Sequence, residues 1–229
     1  MDIQKSFEKN TPSLFLVGTP IGNLDDITFK AVKILNQVDL IACEDTRVSK
    51  KLLDKFNIKK KLFPYHAENE KTASLKLLEI LEEGKSIALI SSAGMPKISD
   101  PGSEIIKLCV KKEINVIPIP GPSAFLAALS ISDFDTSTFK FNGFFPKKEN
   151  EKNSIIENLK QRDTLEIFYE SPHRILKTIK LLSDHFPNYD LLIAKEITKI
   201  HETYFRGKKL ELYEKLKESV KKRIYIAQI

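Results

Sequence analysis

Five segments of this 229-residue chain carry residues that can do chemistry. GTPIGNLDDIT (18–28) sets Gly18, Pro20 and Gly22 directly behind an apolar run, as in a tight strand-to-helix turn. The spacing is not G-x-G-x-x-G and no G-K-[ST] follows, so neither phosphate-cradling motif is met. SSAGMPKISDPG (91–102) is rich in Ser, Gly and Pro. It is long for a strand-to-helix connection, which usually takes about 2–6 residues, and long ordered loops tend to carry function. Gly94 lets a polar ligand approach the backbone N–H groups around Gly94 and Met95. Asp100 is either a carboxylate offered to a ligand or a helix N-cap. PGPSAFLAA (120–128) leads a stiff Pro-Gly-Pro-Ser segment into a helix, presenting backbone donors and the Ser123 hydroxyl.

In the second half, FYESPHR (168–174) gathers Tyr169, Glu170, His173 and Arg174 at a strand end and a helix start. KEITKIHE (195–202) adds Lys195, Glu196, His201 and Glu202. The histidines are 66, 173, 185 and 201, with no H-E-x-x-H and no Cys/His cluster, so no metal site is expected. Cys43 and Cys109 stand far apart in apolar runs, without metal spacing or a disulfide framework. A reducing cytoplasm is the expected compartment.

Apolar runs alternating with helical periods must position these segments. SLFLVG (13–18), VDLIACE (38–44), LFPYH (62–66), SIALISS (86–92) and NVIPIPG (115–121) read as strands. Helices fall between them. Ile27, Ala31, Ile34 and Leu35 share one helical face. Thr46 is the candidate cap of the next helix. Leu75, Leu78 and Leu81 form the stripe of a helix over 69–83, closed by Gly84. Ser103 or Asp100 caps the helix carrying Ile105, Ile106, Leu108 and Cys109. This pattern predicts a mostly parallel sheet covered on both faces.

The prolines of PIPGP interrupt the pattern, and the expected domains are 1–119 and 120–229. After the junction helix 123–132, the second domain reads as an aromatic strand (138–145), a charged helix, a strand at 164–170 and a helix starting on Pro172. Strands at 190–197 and 201–207 follow as a hairpin, then a helix near 208–218 and a last strand, RIYIAQI. A mixed sheet follows from that order. Functional residues should collect in the loops at the carboxyl ends of the strands, with a polar ligand in a cleft between the two α/β domains.

Composition sets outer bounds. With 41% hydrophobic and 30% charged residues the chain is no disordered tail, and no apolar run nears the ~20 residues of a membrane span. MDIQKSFEKNTP resembles neither a secretory signal nor a transit peptide. A net charge of +6 permits a polyanionic partner without demanding one.

Taken in order, TPIGNLDDIT, LIACEDTR, SSAGMPKISDPG, PGPSA, FYESPHR, KEITKIHE and FRG resemble the ribosomal RNA small-subunit methyltransferase I family of the tetrapyrrole-methylase-like superfamily. The resemblance runs from about Leu14 to Gly207. It implies a cytoplasmic homodimer that transfers a methyl group from S-adenosyl-L-methionine to the ribose 2′-hydroxyl of a cytidine in the decoding region of small-subunit (16S) rRNA. The substrate is expected within the assembled 30S particle, with no membrane association. Cofactor contacts implied by motif position are Pro20, Gly94, Met95, Pro96, Ile98, Ser123, Ala124, Tyr169, Glu170, Lys195 and Glu196.

Where the family usually reads Ser-Asp-Ala-Gly-Thr-Pro, Ser92 and Met95 stand here. Many relatives also carry a Gly-Glu before the last strand and a further C-terminal segment. The catalytic candidates are Asp100, Glu170 and Glu196 as bases and Lys195 as the group that orients the hydroxyl, since positioning supplies much of the rate and a ribose hydroxyl is a poor acid. Arg47, Arg174 and Arg206 are the candidate contacts to RNA phosphate, which a guanidinium fork matches. The same scaffold also serves methylases of tetrapyrroles and protein side chains. A catalytically silent ribosome-assembly protein is a further alternative, separable by titration with S-adenosylmethionine.

Overall fold

The computed structural model describes residues 4, 6, 11–161, 164–187, 189–208 and 213, and the backbone of 225–228. It divides into two compact units, Met1–Ser123 and Ala124–Ile229.

The first unit is built on β1 (Ser13–Val17), β2 (Leu40–Cys43), β3 (Lys61–Pro64), β4 (Ile87–Ile90) and β5 (Asn115–Ile119). They pair in the order β3-β2-β4-β1-β5, every pair parallel. Parallel strands need crossovers, and α1 (Phe29–Gln37), α2 (Thr46–Lys55), α3 (Glu70–Glu82) and α4 (Ser103–Lys111) supply them. Side chains alternate across each strand. Val17, Ile41, Cys43, Ala88 and Ile90 face one core with Ala31, Ile34, Leu35 and Leu53. Leu14, Leu40, Ala42, Ile87 and Leu89 face the other with Ala73, Leu77, Leu81, Ile105 and Cys109. Burial on both faces is why LIAC and IALI are apolar throughout.

Local signals place the ends of these elements with two corrections. The Thr28 hydroxyl caps α1 by accepting from the Ala31 amide, 3.1 Å. Thr46 does not cap α2. Asp45 does, accepting from the amides of Arg47 and Val48, because its carboxylate reaches both while Thr46 is already helical. On α3 the buried stripe is Ala73, Ser74, Leu77, Leu78 and Leu81, and Leu75 is exposed. Gly84 has the left-handed φ (+88°) that ends this helix.

The second unit carries β6 (Phe139–Phe144), β7 (Leu165–Glu170), β8 (Asp190–Lys195), β9 (Thr203–Lys208) and β10 (Tyr225–Gln228), ordered β6-β7-β10-β8-β9. β6 and β7 are parallel and the other pairs antiparallel, so the sheet is mixed. The last strand enters between β7 and β8. Among the described residues, helices α5 (Ala124–Ser130), α6 (Glu149–Lys160) and α7 (Ile175–His185) join it. α7 starts at Ile175, and Pro172 lies in the preceding turn instead of in the helix. The helix expected near 208–218 lies outside the described residues except for Tyr213. Among the described residues no helix is long and apolar enough to cross a membrane.

Candidate active site

The loop after β4 is locked to the turn after β1. The Thr19 amide donates to the Gly94 carbonyl at 2.9 Å, and the Gly94 amide donates to the Thr19 carbonyl at 3.0 Å. The Thr19 hydroxyl adds bonds to the carbonyls of Ser91 and Gly94, 3.1 and 3.3 Å. The Gly94 N–H therefore serves the fold and is not offered to a ligand. Between Gly94 (φ +78°) and Gly102 (φ +147°), Lys97 and Ser99 also adopt left-handed backbone at +72° and +62°. Such conformations persist only where surroundings enforce them, and they gather at functional loops.

Two glycines bring the neighbouring turns into contact. A Cβ on Gly18 would lie 2.7 Å from the Gly121 Cα and 2.7 Å from the Met95 sulfur. Met95 thus covers Gly18, and no larger residue fits. Pro20 and Pro96 are buried, Met95 is half-buried and Ile98 is exposed.

Asp100 does not cap α4, and neither does Ser103, the first helical residue. The cap comes from Glu70 on α3, whose Oε1 accepts from the amides of Gly102 (2.9 Å) and Glu104 (3.1 Å) and from the Tyr65 hydroxyl (3.2 Å). Burial opposes the charge on Glu70, but these donors outweigh it and hold the carboxyl below its ordinary range. Relieved of capping, Asp100 is pushed up to about 6 by burial and by the Glu44 charge, against a hydrogen bond from Ser91. Ser92 donates to Glu44 Oε2 at 2.9 Å.

Glu44, Asp45, Thr46, Arg47, Pro64, His66, Ala67, Glu68 and Ser92 line an open cleft of about 580 Å³ at the carboxyl ends of β2, β3 and β4. Arg47 is fixed at its rim, donating from Nε to Asp45 Oδ1 (3.2 Å) and from Nη2 to Oδ2 (3.0 Å). Those bonds hold the Asp45 carboxyl at about 2.

In the second unit, Tyr169 meets Phe141 and Phe144 edge-on, with ring centroids 4.9 and 5.6 Å away. Glu170 is fully buried. It pairs with Arg174 at 2.6 Å and accepts from the Thr178 hydroxyl and the Ser171 amide, both at 2.6 Å. Arg174 also donates to the carbonyls of Phe145 and Pro146, 3.0 and 3.3 Å. Lys195 ends β8, and Glu196 follows in left-handed backbone (φ +56°), as does Thr198 (φ +67°). Glu196 Oε1 is buried without a hydrogen-bond partner among the described residues, the Lys199 ammonium standing 3.7 Å off. Arg206 donates to the Ile131 carbonyl at 2.8 Å and lies over the Tyr204 ring. Among the described residues no cluster of three or more His, Cys, Asp or Glu could hold a metal.

The model for Tetrapyrrole (Corrin/Porphyrin) Methylases matches residues 13–212. "Ribosomal RNA small subunit methyltransferase I" of Thermotoga maritima is 44% identical over 195 residues, covering 85% of this chain and 87% of that protein. The protein of the same name from Halalkalibacterium halodurans is 44% identical over 209 residues, 90% of this chain and 72% of its own. The chain belongs to the ribosomal RNA small subunit methyltransferase I family. In fold it is similar to diphthine synthase, with a TM-score of 0.76 at 15% identity over 94% of this chain and 88% of that one. It is similar also to cobalt precorrin-4 methyltransferase, with a TM-score of 0.65 at 18% identity over 94% of each chain.

Within this family member the structure brings Pro20, Gly94, Met95, Pro96 and Asp100 onto two interlocked loops, and pairs Glu170 with Arg174. Ser123 and Ala124 stand at the start of α5. Sequence reasoning missed Glu44, Thr19 and Glu70. The position of Glu44, one residue past β2, was the signal that marks it, whereas Glu70 acts on residues 32 and 34 positions away and gives no local sign.

Proposed function

We propose that the chain is an S-adenosylmethionine-dependent methyltransferase acting on the ribose 2′-hydroxyl of a cytidine in the decoding region of small-subunit rRNA. The observation that carries the reading is the 44% identity, over most of both chains, with a protein named for methylating that RNA. The 15–18% identical neighbours share only the fold, so they give the rival readings no support of comparable weight.

The residues fit the cofactor chemically. A buried carboxylate oxygen without a hydrogen-bond partner among the described residues, Glu196 Oε1, suits a donor such as a ribose hydroxyl, with Lys199 3.7 Å away as its ion-pair partner. The exposed Ile98 side chain offers apolar surface. Pro20, Gly94, Met95, Pro96, Ile98, Ser123, Ala124, Tyr169, Glu170, Lys195 and Glu196 are the groups we assign to holding it, Gly94 by its shape and not by its amide. When bound, S-adenosylmethionine supplies a methyl group already activated on a sulfonium.

Asp100 is the assigned base, because a carboxyl near 6 takes a proton more readily at neutral pH than an ordinary one. Lys195 orients the hydroxyl. Glu170 has both oxygens engaged, so its part in holding the cofactor is to fix the loop that carries Tyr169 and not to offer its carboxylate. Arg47 and Arg206 contact phosphate. A net charge of +6 is too modest to select bare RNA, so the substrate is the assembled 30S particle. The enzyme is a cytoplasmic homodimer.

Ribose-methylation mapping of small-subunit rRNA from a strain lacking the protein tests the reading. One cytidine mark is lost and restored by the purified protein with S-adenosylmethionine. An unchanged map removes the assignment. Sedimentation yielding only a 26.1 kDa species removes the dimer.

A further inference from the structure

The cleft at the carboxyl ends of β2, β3 and β4 has no role in the cofactor assignment above, and its chemistry is specific. Its volume of about 580 Å³ falls within the range of about 300–1,000 Å³ of small-ligand sites. At the rim, Arg47 is 88% exposed and its fork is fixed by two bonds to Asp45, so its remaining donors are ordered before any ligand arrives. Within the same lining, Glu44 is oriented by the Ser92 hydroxyl through one carboxylate oxygen, Oε2. A guanidinium at the mouth and an oriented carboxylate beyond it match a phosphate followed by a base that bears an amino group.

We propose that this cleft seats the unpaired nucleotide that is methylated, with Arg47 on its phosphate and Glu44 accepting from the exocyclic amine of cytosine. The inference rests on the rRNA-methyltransferase reading and deepens it by naming a residue that decides which base is accepted. At the 4-position a carboxylate accepts from the cytosine amine but faces the O4 acceptor of uracil, and enzymes that act on one extruded nucleotide read its Watson–Crick edge by such contacts. Ser92 then has a function of its own. It keeps Glu44 in one orientation through the bond to Oε2. Burial first, and the Glu44 charge second, raise the nearby Asp100 carboxyl.

The experiment uses small-subunit particles reconstituted with rRNA carrying cytidine or uridine at the mapped position, the full-length protein and labelled S-adenosylmethionine. Wild type prefers cytidine by about 10-fold or more in initial rate. Glu44→Gln, whose amide can donate to uracil, brings that preference to within about threefold while cofactor affinity by calorimetry stays unchanged. Ser92→Ala narrows it partially, which keeps the test decisive if Glu44→Gln folds poorly. A wild-type cytidine preference retained in both variants overturns the proposal. Loss of cofactor binding in Glu44→Gln also overturns it, by moving the cleft to the cofactor. A wild-type protein that methylates neither particle defeats the underlying reading, and is told apart because no variant is then needed.

Discussion

Gly94 and Thr19 exchange both backbone hydrogen bonds, 3.0 and 2.9 Å, and so bind the loop after β4 to the turn after β1. The pairing needs Gly94 at φ +78°, a conformation costly for any residue with a Cβ and most costly for a β-branched one.

Gly94→Val therefore uncouples the two turns. The added Cβ itself finds room, its nearest neighbours lying 3.7 Å away, so the damage is to the backbone. Stability falls by about 1–2 kcal/mol, and S-adenosylmethionine binding is lost in calorimetry. Normal binding by this variant rules out the loop as a cofactor support. Gly121→Ala is the steric counterpart. Its Cβ would sit 2.8 Å from the Gly18 Cα, and about 1–3 kcal/mol of stability should disappear in urea melts.

Removing Glu70 uncaps α4 from a distance. Glu70→Ala should cost about 0.5–2 kcal/mol. Because its folded-state carboxyl is depressed below the ordinary 4.5, its contribution is full above that pH and fades as pH falls through the folded value. The wild-type and Glu70→Ala melting temperatures should thus converge in acid. A gap that is constant from pH 7 to pH 3 contradicts the capping role.

Asp100 carries the opposite sign. Its carboxyl is raised from 3.8 to about 6, so ionisation destabilises the fold above pH 6 and protonation relieves this as pH falls. Asp100→Asn is expected to melt higher than wild type at pH 8 and alike at pH 4, while methyl transfer collapses. The wild-type rate should rise with pH through about 6, and that limb should vanish in the variant. A variant retaining both rate and limb would leave the base elsewhere.

Arg47 and Arg174, both expected at RNA phosphate, separate cleanly by burial. Arg174→Ala strands the buried Glu170 charge and should cost about 3–5 kcal/mol. Arg47→Ala removes an exposed pair and should change stability by no more than about 1 kcal/mol. The first variant should fail in thermal melts, whereas the second should melt normally and bind particles weakly. Equal melting temperatures for the two would show that the Glu170–Arg174 pair does not hold its loop.

Much of the fold is decided by local pattern. LIAC and IALI are apolar at every position because both faces of a parallel sheet are covered, and Gly84 ends α3 because only glycine adopts φ +88° at little cost. Hairpin spacing likewise marked β8 and β9. The seven motifs, in their order along the chain, point to the family.

What sequence alone left open were contacts between residues far apart in the chain. Periodicity says which face of a helix is apolar, but not that Glu70 reaches the amides of Gly102 and Glu104. Composition counts Glu170 and Arg174 as surface charges, and only packing makes one fully buried and the other its counter-ion. Asp100 could cap a helix or offer its carboxylate to a ligand, and the two readings differ by which carboxylate reaches the α4 amides. Those amides can be satisfied once, and Glu70 satisfies them. Side-chain identity and spacing determine local conformation through short-range sterics and hydrogen bonding. The protonation and partners of the site residues depend on burial and on charges brought together across the chain, which exist only once the tertiary structure has formed.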